Sequence, residues 1–496
     1  MASHPARGDA GSPGEANELL RQGAALLNAG RASDAARMFE KLVELRPDDA
    51  HAHHRLGDAA AWSGELALAI KALRRSVELD VSNPGSIGRL GNVLRQSGDL
   101  DGAIDAFSRA LAIAPDSVPL LENLGEALVT AARPAQALTH LTRALTLAPG
   151  HAVAHLNLAS ALIRLRRCDE AMINFERAVE LAPDLSQAHL NLAMALLMRG
   201  EWERGWRELE WRLRLPRRGE LPGTYFVRWR GQSLANKRIL LRAEQGYGDV
   251  IQFARYVPLI AERGGKVILQ CARELSRLLE NLPGIEQVIT VKQPPACDFE
   301  CPLMSLPLVF GSTLENLPSQ VPYLDAPPAL CAHWSDRLRE TARPRVGITW
   351  AGNPSNTRDR YRSMSFEQIA PLVESPVRFV NLQKDRSAES LRSSPLSARV
   401  LDPTPELHDW ADTAALLSNL DLVITVDTSV AHLSGAMGKP TWTMLSFGAD
   451  WRWMLDRNDS PWYPTMRLFR QERLGDWESV VDRVKRSLTS GDFLEH

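Results

Sequence analysis

The first two hundred residues read as helices, and their apolar positions repeat with a strict period of 34. Gly23, Gly57, Gly91, Gly125, Ala159 and Ala193 share one phase, where two helices must approach closely. Ala35, Ala69, Ala103, Ala137 and Ala171 hold a second small site, each followed four residues later by a bulky one: Phe39, Leu73, Phe107, Leu141 and Phe175. Pro47, Pro115, Pro149 and Pro183 end the units, and Val81 takes that place in the second. A register kept over five units predicts helix pairs that lack a core of their own and bury their apolar faces on their neighbours, giving an α-solenoid with a concave groove. Six units cover about 14–216, the last degenerate, with Gly205 in the column of Ala171.

Beyond Pro216 the pattern changes. A Pro/Gly/Arg-rich connector is expected over 217–237. The run "KRILLRAEQGYGDVIQFARYVPLIAERGGKVILQ" then reads strand, glycine turn, helix over Val250 to Ala261, Gly-Gly and strand, which is a βαβ unit with a parallel sheet. A second set starts at "PRVGITWAGN", passes through "VRFVNLQKD" and reaches "DLVITVDTSVAHLSGAMGKPTW". Two Rossmann-like halves are therefore expected, over 238–340 and over 341–492 with a closing helix. A nucleotide-binding cleft should lie where the carboxyl ends of their strands meet.

In that last stretch the pattern predicts a strand over Leu422 to Val426 and a helix over about Ser429 to Met437, with Gly438 at its C′ position. Asp427, Thr428 and Ser429 crowd the positive end of the helix. Free N–H groups and hydroxyls there suit a phosphate, and an ordinary N-cap explains the same residues. Asp249 follows Gly246 and Gly248 at a strand's carboxyl end; it is a candidate general base, or a cap of the helix that follows. His432, one turn beyond Thr428, is either a donor contact or a buried structural histidine. Trp451, Trp453 and Trp462 are expected in the core.

Composition narrows the classes. A chain of 496 residues with 44% hydrophobic content needs more than one core, and a net charge of −2 argues against a broad nucleic-acid or anionic-membrane surface. No apolar run is long enough to span a membrane, and the Gly/Ala/Pro/Ser-rich lead over 1–13 reads as disordered and not as a signal peptide, so a cytoplasmic address is expected. The five cysteines are too scattered for a disulfide framework. Cys297 and Cys301 are the only close pair, and no second pair nearby would complete a zinc site; buried thiols are the alternative.

The small-then-bulky pattern closing on proline resembles the tetratricopeptide repeat. One more column stands in phase: Asn123, Asn157 and Asn191, preceded by Arg21, Arg55 and Arg89. It resembles the asparagine ladder of the protein O-GlcNAc transferase, which implies that these three side chains grip the backbone of a protein or peptide acceptor. The alternative is that they only tie neighbouring helices together.

"DTSVAH" resembles the D-T-G-x-x-H motif of glycosyltransferase family 9, the heptosyltransferases, and "GYGDVIQFARYVPL" resembles the turn opening their N-terminal half. "WAGNPSNTRDRYRS", "DWADTAALL", "GKPTW", "DWRWMLDRNDSPWYPTMRLFRQ" and "GDWESVVDRVKRSL" are similar to bacterial tetratricopeptide-repeat glycosyltransferases. The resemblance implies a GT-B fold and metal-independent, inverting transfer from a nucleotide-sugar donor, with no further cofactor. It implies donor contacts by Gly248, Arg362, Asp427, Thr428, Ser429 and His432, and catalysis by Asp249. Ser429 stands where the motif has glycine, and Arg362 where a lysine is usual. Two other readings remain: a non-catalytic repeat scaffold with a degenerate nucleotide-binding module, and a nucleotide-sugar epimerase.

Overall fold

A computed structural model describes residues 13–215 and 225–491, apart from 292, 355, 357, 358, 385 and 386. Residues 1–12 of the lead expected over 1–13, and the first part of the connector, lie outside the described residues, while Pro13 opens the first helix. The chain divides into two compact units, one comprising 1–162 and 169–182, the other 163–168 and 183–496.

Among the described residues the first unit is built from ten helices in sequence, from Pro13–Asn28 to Cys168–Leu181, of which residues 163–168 are counted with the second unit. The columns read from the sequence meet within each pair. A Cβ built on Gly23 would lie 2.5 Å from the Phe39 ring, one on Gly57 2.5 Å from Leu73, one on Gly91 2.8 Å from Phe107, and one on Gly125 2.5 Å from Leu141. Glycine is thus required where the bulky residue of the second helix fills the space against the first. The small column Ala35, Ala69, Ala103, Ala137 and Ala171 is fully buried beside it. The turns are made locally: Asp49 and Asn83 cap helix starts by accepting from backbone N–H groups, and Gly64 and Gly98 end helices in the left-handed conformation that costs other residues most.

The second unit begins earlier than the connector. Its first helices, Ser186–Arg199 and Trp202–Leu209, are the degenerate sixth repeat. Trp202 stacks on Trp462 with ring centroids 5.4 Å apart, and Trp206 meets Trp451 edge-on at 5.4 Å while its indole N–H donates to the Ser312 carbonyl at 2.8 Å. The expected boundary at 216 is therefore not where compactness changes. These tryptophans make the last repeat part of the α/β core.

Two wholly parallel sheets follow. The first contains β1 (Val227–Arg228), β2 (Arg238–Arg242), β3 (Lys266–Gln270), β4 (Ile285–Ile289) and β5 (Phe299–Pro302), in the order β1-β5-β2-β3-β4. β1 lies inside the stretch expected to be connector: Val227 and Arg228 pair with Phe299 and Glu300, and Trp229 is buried next to them. The second sheet contains β6 (Arg345–Thr349), β7 (Arg378–Asn381), β8 (Val400–Leu401), β9 (Leu422–Val426), β10 (Thr441–Leu445) and β11 (Met466–Arg470), in the order β11-β10-β9-β6-β7-β8. Strand interiors such as Ile239–Leu241 and Leu422–Ile424 are buried on both faces, as parallel sheets require.

The helix expected over Val250 to Ala261 starts earlier and is broken. It runs over Tyr247–Phe253, tightens to a 3₁₀ turn over Ala254–Tyr256 and resumes over Val257–Glu262. Pro258 lacks the N–H that would continue the α-helical ladder through that turn.

Candidate functional site

Strand order reverses at one place in each sheet. In the first, β2 leads to β3 and β4 on one side while β5 lies on the other; in the second, β6 leads to β7 and β8 while β9 leads to β10 and β11. Loops leaving the carboxyl ends of such strands diverge and open a crevice. In the first sheet the crevice is fixed by Glu244, just after β2, whose buried carboxylate accepts from Arg212 Nη2 at 2.8 Å and from the backbone N–H of Met304, just after β5, at 3.3 Å. In the second, Gln383 accepts from Thr349 Oγ1 at 2.6 Å and from the N–H groups of Trp350 and Ala351, holding the loop after β6.

The helices leaving the two crevices touch. Gly248, in the first turn of Tyr247–Phe253, is buried against Ser429–Ala436: an added Cβ would lie 2.8 Å from His432 Cδ2 and 3.4 Å from Ser429 Oγ. Thr428 is the N-cap, accepting from Val430 N at 3.3 Å, so the capping role weighed in the sequence is filled. Gly438 follows with φ +66°, as expected of a C′ residue.

Asp249 is not the N-cap residue of its helix. Gly246 holds the N-cap position, and Asp249 lies in the first turn at the third helical position, accepting from the Gly246 N–H and pairing with Arg452 Nη2. Burial raises its pKa and the Arg452 charge opposes that, with Asp450 adding to the rise. Arg452 is itself buried and fully engaged. Its Nη1 donates to Asp450 at 2.8 Å and its Nε to Gln252 at 2.6 Å. Burial works against this guanidinium's charge, yet Asp450 and Asp249 outweigh it and hold it protonated.

Asp427 completes the cluster. Burial first, then Asp450, raise its pKa to about 6, against the lowering effect of Arg362 and Arg452. Arg362 ends the Asp359–Arg362 turn and donates from Nε to Asp359 at 3.2 Å. Gly352 gives it room, since a Cβ there would lie 2.7 Å from Arg362 Nη2. His432 is buried, bonded through Nδ1 to the Tyr463 hydroxyl at 2.9 Å and stacked on Trp453. Burial, then the Arg452 charge, hold its pKa well below the usual value, so the ring is neutral.

Asp249, Gly248, Arg362, Asp427, Thr428, Ser429 and His432 thus converge from two sheets. Sequence reasoning missed Arg452, Asp450 and Gln252. The available signal was "DWRW", in which charges alternate with tryptophans that belong in a core and must therefore be paired there. Trp451, Trp453 and Trp462 are buried as expected.

The asparagine column divides between the units. Asn123 and Asn157 are half-buried on Val118–Thr130 and Ala152–Arg164, and Asn157 Nδ2 is buried without a hydrogen-bond partner. Asn191, in the second unit, accepts from Gln187 at 2.7 Å. Burial pushes the Cys301 thiol up to about 12 and that of Cys297 up to about 11. Among the described residues, no group of three or more His, Cys, Asp or Glu side chains is placed to hold a metal ion, and no helix is long and apolar enough to cross a membrane.

Comparison with known proteins bears on the repeats. Protein FlbA of Caulobacter vibrioides is 30% identical over 298 residues, which is 55% of this chain and 49% of FlbA, so the chain spans about half the length of the curated relative it matches. Among solved structures, MamA is 23% identical over 32% of this chain and 94% of its own, with a TM-score of 0.31. YrrB, described as a TPR protein with an unusual peptide-binding site, is 25% identical over 36% of this chain and 92% of its own, with a TM-score of 0.30. TTC0263, a thermophilic TPR protein of Thermus thermophilus, is 24% identical over 37% of this chain and 99% of its own, with a TM-score of 0.31. Models of the tetratricopeptide repeat match residues 20–84, 83–150 and 122–186, so the N-terminal region is a tetratricopeptide-repeat array.

Proposed function

We propose that the two parallel sheets form a GT-B module that transfers a sugar from a nucleotide-sugar donor, with inversion, to a protein or glycan acceptor recruited by the repeats. The observation that carries this reading is the meeting of two topological switch points, one bringing Asp249 and the other Asp427, Thr428, Ser429 and Arg362. The donor diphosphate would lie at the N-terminus of the Ser429–Ala436 helix, where backbone N–H groups and Arg362 offset its charge. Asp249 would take the proton of the acceptor hydroxyl as its oxygen bonds to the anomeric carbon. The bond from that carbon to the phosphate oxygen breaks, and the nucleoside diphosphate leaves with the electron pair. Asn123, Asn157 and Asn191 offer amide donors and acceptors suited to peptide backbone.

A second reading, a non-catalytic scaffold, draws on the pairing of Asp249 with Arg452, because a carboxylate oxygen already engaged by a guanidinium is not free to accept a proton from an acceptor hydroxyl. A thermal-shift screen against nucleotides and nucleotide sugars, followed by assay of nucleoside diphosphate release, separates them. A ligand at ~100 times its dissociation constant should stabilise by about 2.7 kcal/mol. Stabilisation with no turnover over any acceptor would favour the scaffold. No stabilisation by any nucleotide would end the donor-site reading. Repeating the titration in EDTA tests the metal-free part, since binding that collapses there would overturn it.

A further inference from the structure

Arg452 links the two switch points, and its three partners are not equivalent. Asp450 holds it twice, through Nη1 at 2.8 Å and through the Arg452 backbone N–H at 3.2 Å, because both residues belong to one tight turn. Gln252 holds Nε and is wholly buried. Asp249 meets only Nη2, from a helix of the other sheet, and its side chain keeps 19% of its surface exposed. The base candidate is therefore the partner with the least reason to stay. One buried donor beside the same cluster, Gln252 Nε2, has no hydrogen-bond partner. Unmade donors at such depth cost free energy that an entering acceptor group would recover.

Charge points the same way. Asp249, Asp427 and Asp450 crowd around Arg452 and Arg362, so carboxylates outnumber guanidiniums. An anion entering here must compete with a carboxylate for its cation.

We propose that Arg452 is an exchangeable partner: an incoming diphosphate takes its Nη2 from Asp249, so that binding the donor and freeing the base are one event. This rests on the donor-site reading above. Arg452 is then a binding and positioning residue, whose loss of Asp249 leaves that carboxylate unpaired beside the acceptor only when a donor is present. No bond is made or broken in the exchange; one N–H donor passes from carboxylate to phosphate oxygen. The closed cluster that favours a scaffold is on this account the resting state.

Inorganic pyrophosphate is the probe, since it carries the diphosphate without a base or sugar. Calorimetric titration of the full chain should show Asp249→Asn binding pyrophosphate about 5- to 50-fold more tightly than wild type, because the competing charge is gone while the side-chain shape remains. Arg452→Gln should bind at least about tenfold more weakly, and Asp249→Asn added to Arg452→Gln should give no further gain. A purely structural pair would give no tighter binding in any variant. Equal or weaker binding by Asp249→Asn overturns the exchange and leaves the donor site standing. Absence of binding by both wild type and Asp249→Asn overturns both. Should Arg452→Gln not fold, Arg452→Lys keeps a buried cation and must still bind more weakly than wild type, or the exchange is overturned.

Discussion

Gly248 and His432 are in contact although their helices leave different sheets: a Cβ at position 248 would sit 2.8 Å from the imidazole Cδ2. The imidazole has nowhere to retreat, being held by Tyr463 and stacked on Trp453. Gly248→Ala should therefore force the two helices apart and cost about 1–3 kcal/mol, seen as a lower midpoint in urea. Gly246→Ala is the control. Its Cβ would meet Asp249 at an ordinary 3.6 Å, so only the cost of alanine at an N-cap, about 0.5–1 kcal/mol, is expected.

Asp427 makes stability depend on pH. Its folded pKa, raised to about 6, lies above the ordinary carboxyl value of 3.8, so between these values the folded chain holds the proton more often than the unfolded one. Stability from this group is fully present below the lower value and falls as pH rises through the upper one. Asp427→Asn removes that dependence. The difference in stability between variant and wild type should grow in favour of the variant from pH 4 to 7, reaching about 2 kcal/mol. Urea melts across that range check it, and a constant difference would refute it.

Arg362 and Gly352 should behave as one unit in binding. Arg362→Ala removes a charge-assisted partner and should weaken a nucleoside diphosphate by about 1.5–3 kcal/mol. Gly352→Ala keeps the arginine but places a Cβ 2.4 Å from Asp359 Oδ1 and 2.7 Å from Arg362 Nη2, displacing both. Calorimetry should find comparable losses in the two variants. Full affinity in Arg362→Ala removes this residue from the donor site.

Asn157 distinguishes the two roles weighed for the asparagine column. Its Nδ2 is buried without a partner, so Asn157→Ala should leave the melting temperature unchanged or raise it, by up to about 1 kcal/mol of stability. Peptide acceptor binding should fall by about 0.5–1.5 kcal/mol for each hydrogen bond lost. A lowered melting temperature with unchanged acceptor binding would make it a tie between helices.

The repeats were legible because each of their contacts is local. Gly91 and Phe107 are 16 positions apart in a spacing that recurs, so one pair explains the rest. The β9 strand and the helix after it were legible for a similar reason, with Thr428 and Gly438 punctuating both ends. The site was legible only in part. Asp249 and Arg452 lie 203 positions apart, and nothing local in either segment encodes the other. The break in the 247–262 helix could have been read from Pro258, whereas β1 could not, since two residues gain strand geometry only from the β5 edge they join.

The sixth helix pair has a consequence for how such a chain can be cut and can evolve. A fragment starting at residue 217 would strip Trp202 and Trp206 from Trp462 and Trp451 and leave a wide apolar face to aggregate, whereas one starting at Pro183 keeps them. Addition or removal of repeats in steps of 34 must likewise fall upstream of residue 163, because Ile163–Cys168 also belong to the second unit, where Arg164 donates to the Gly448 carbonyl at 3.3 Å.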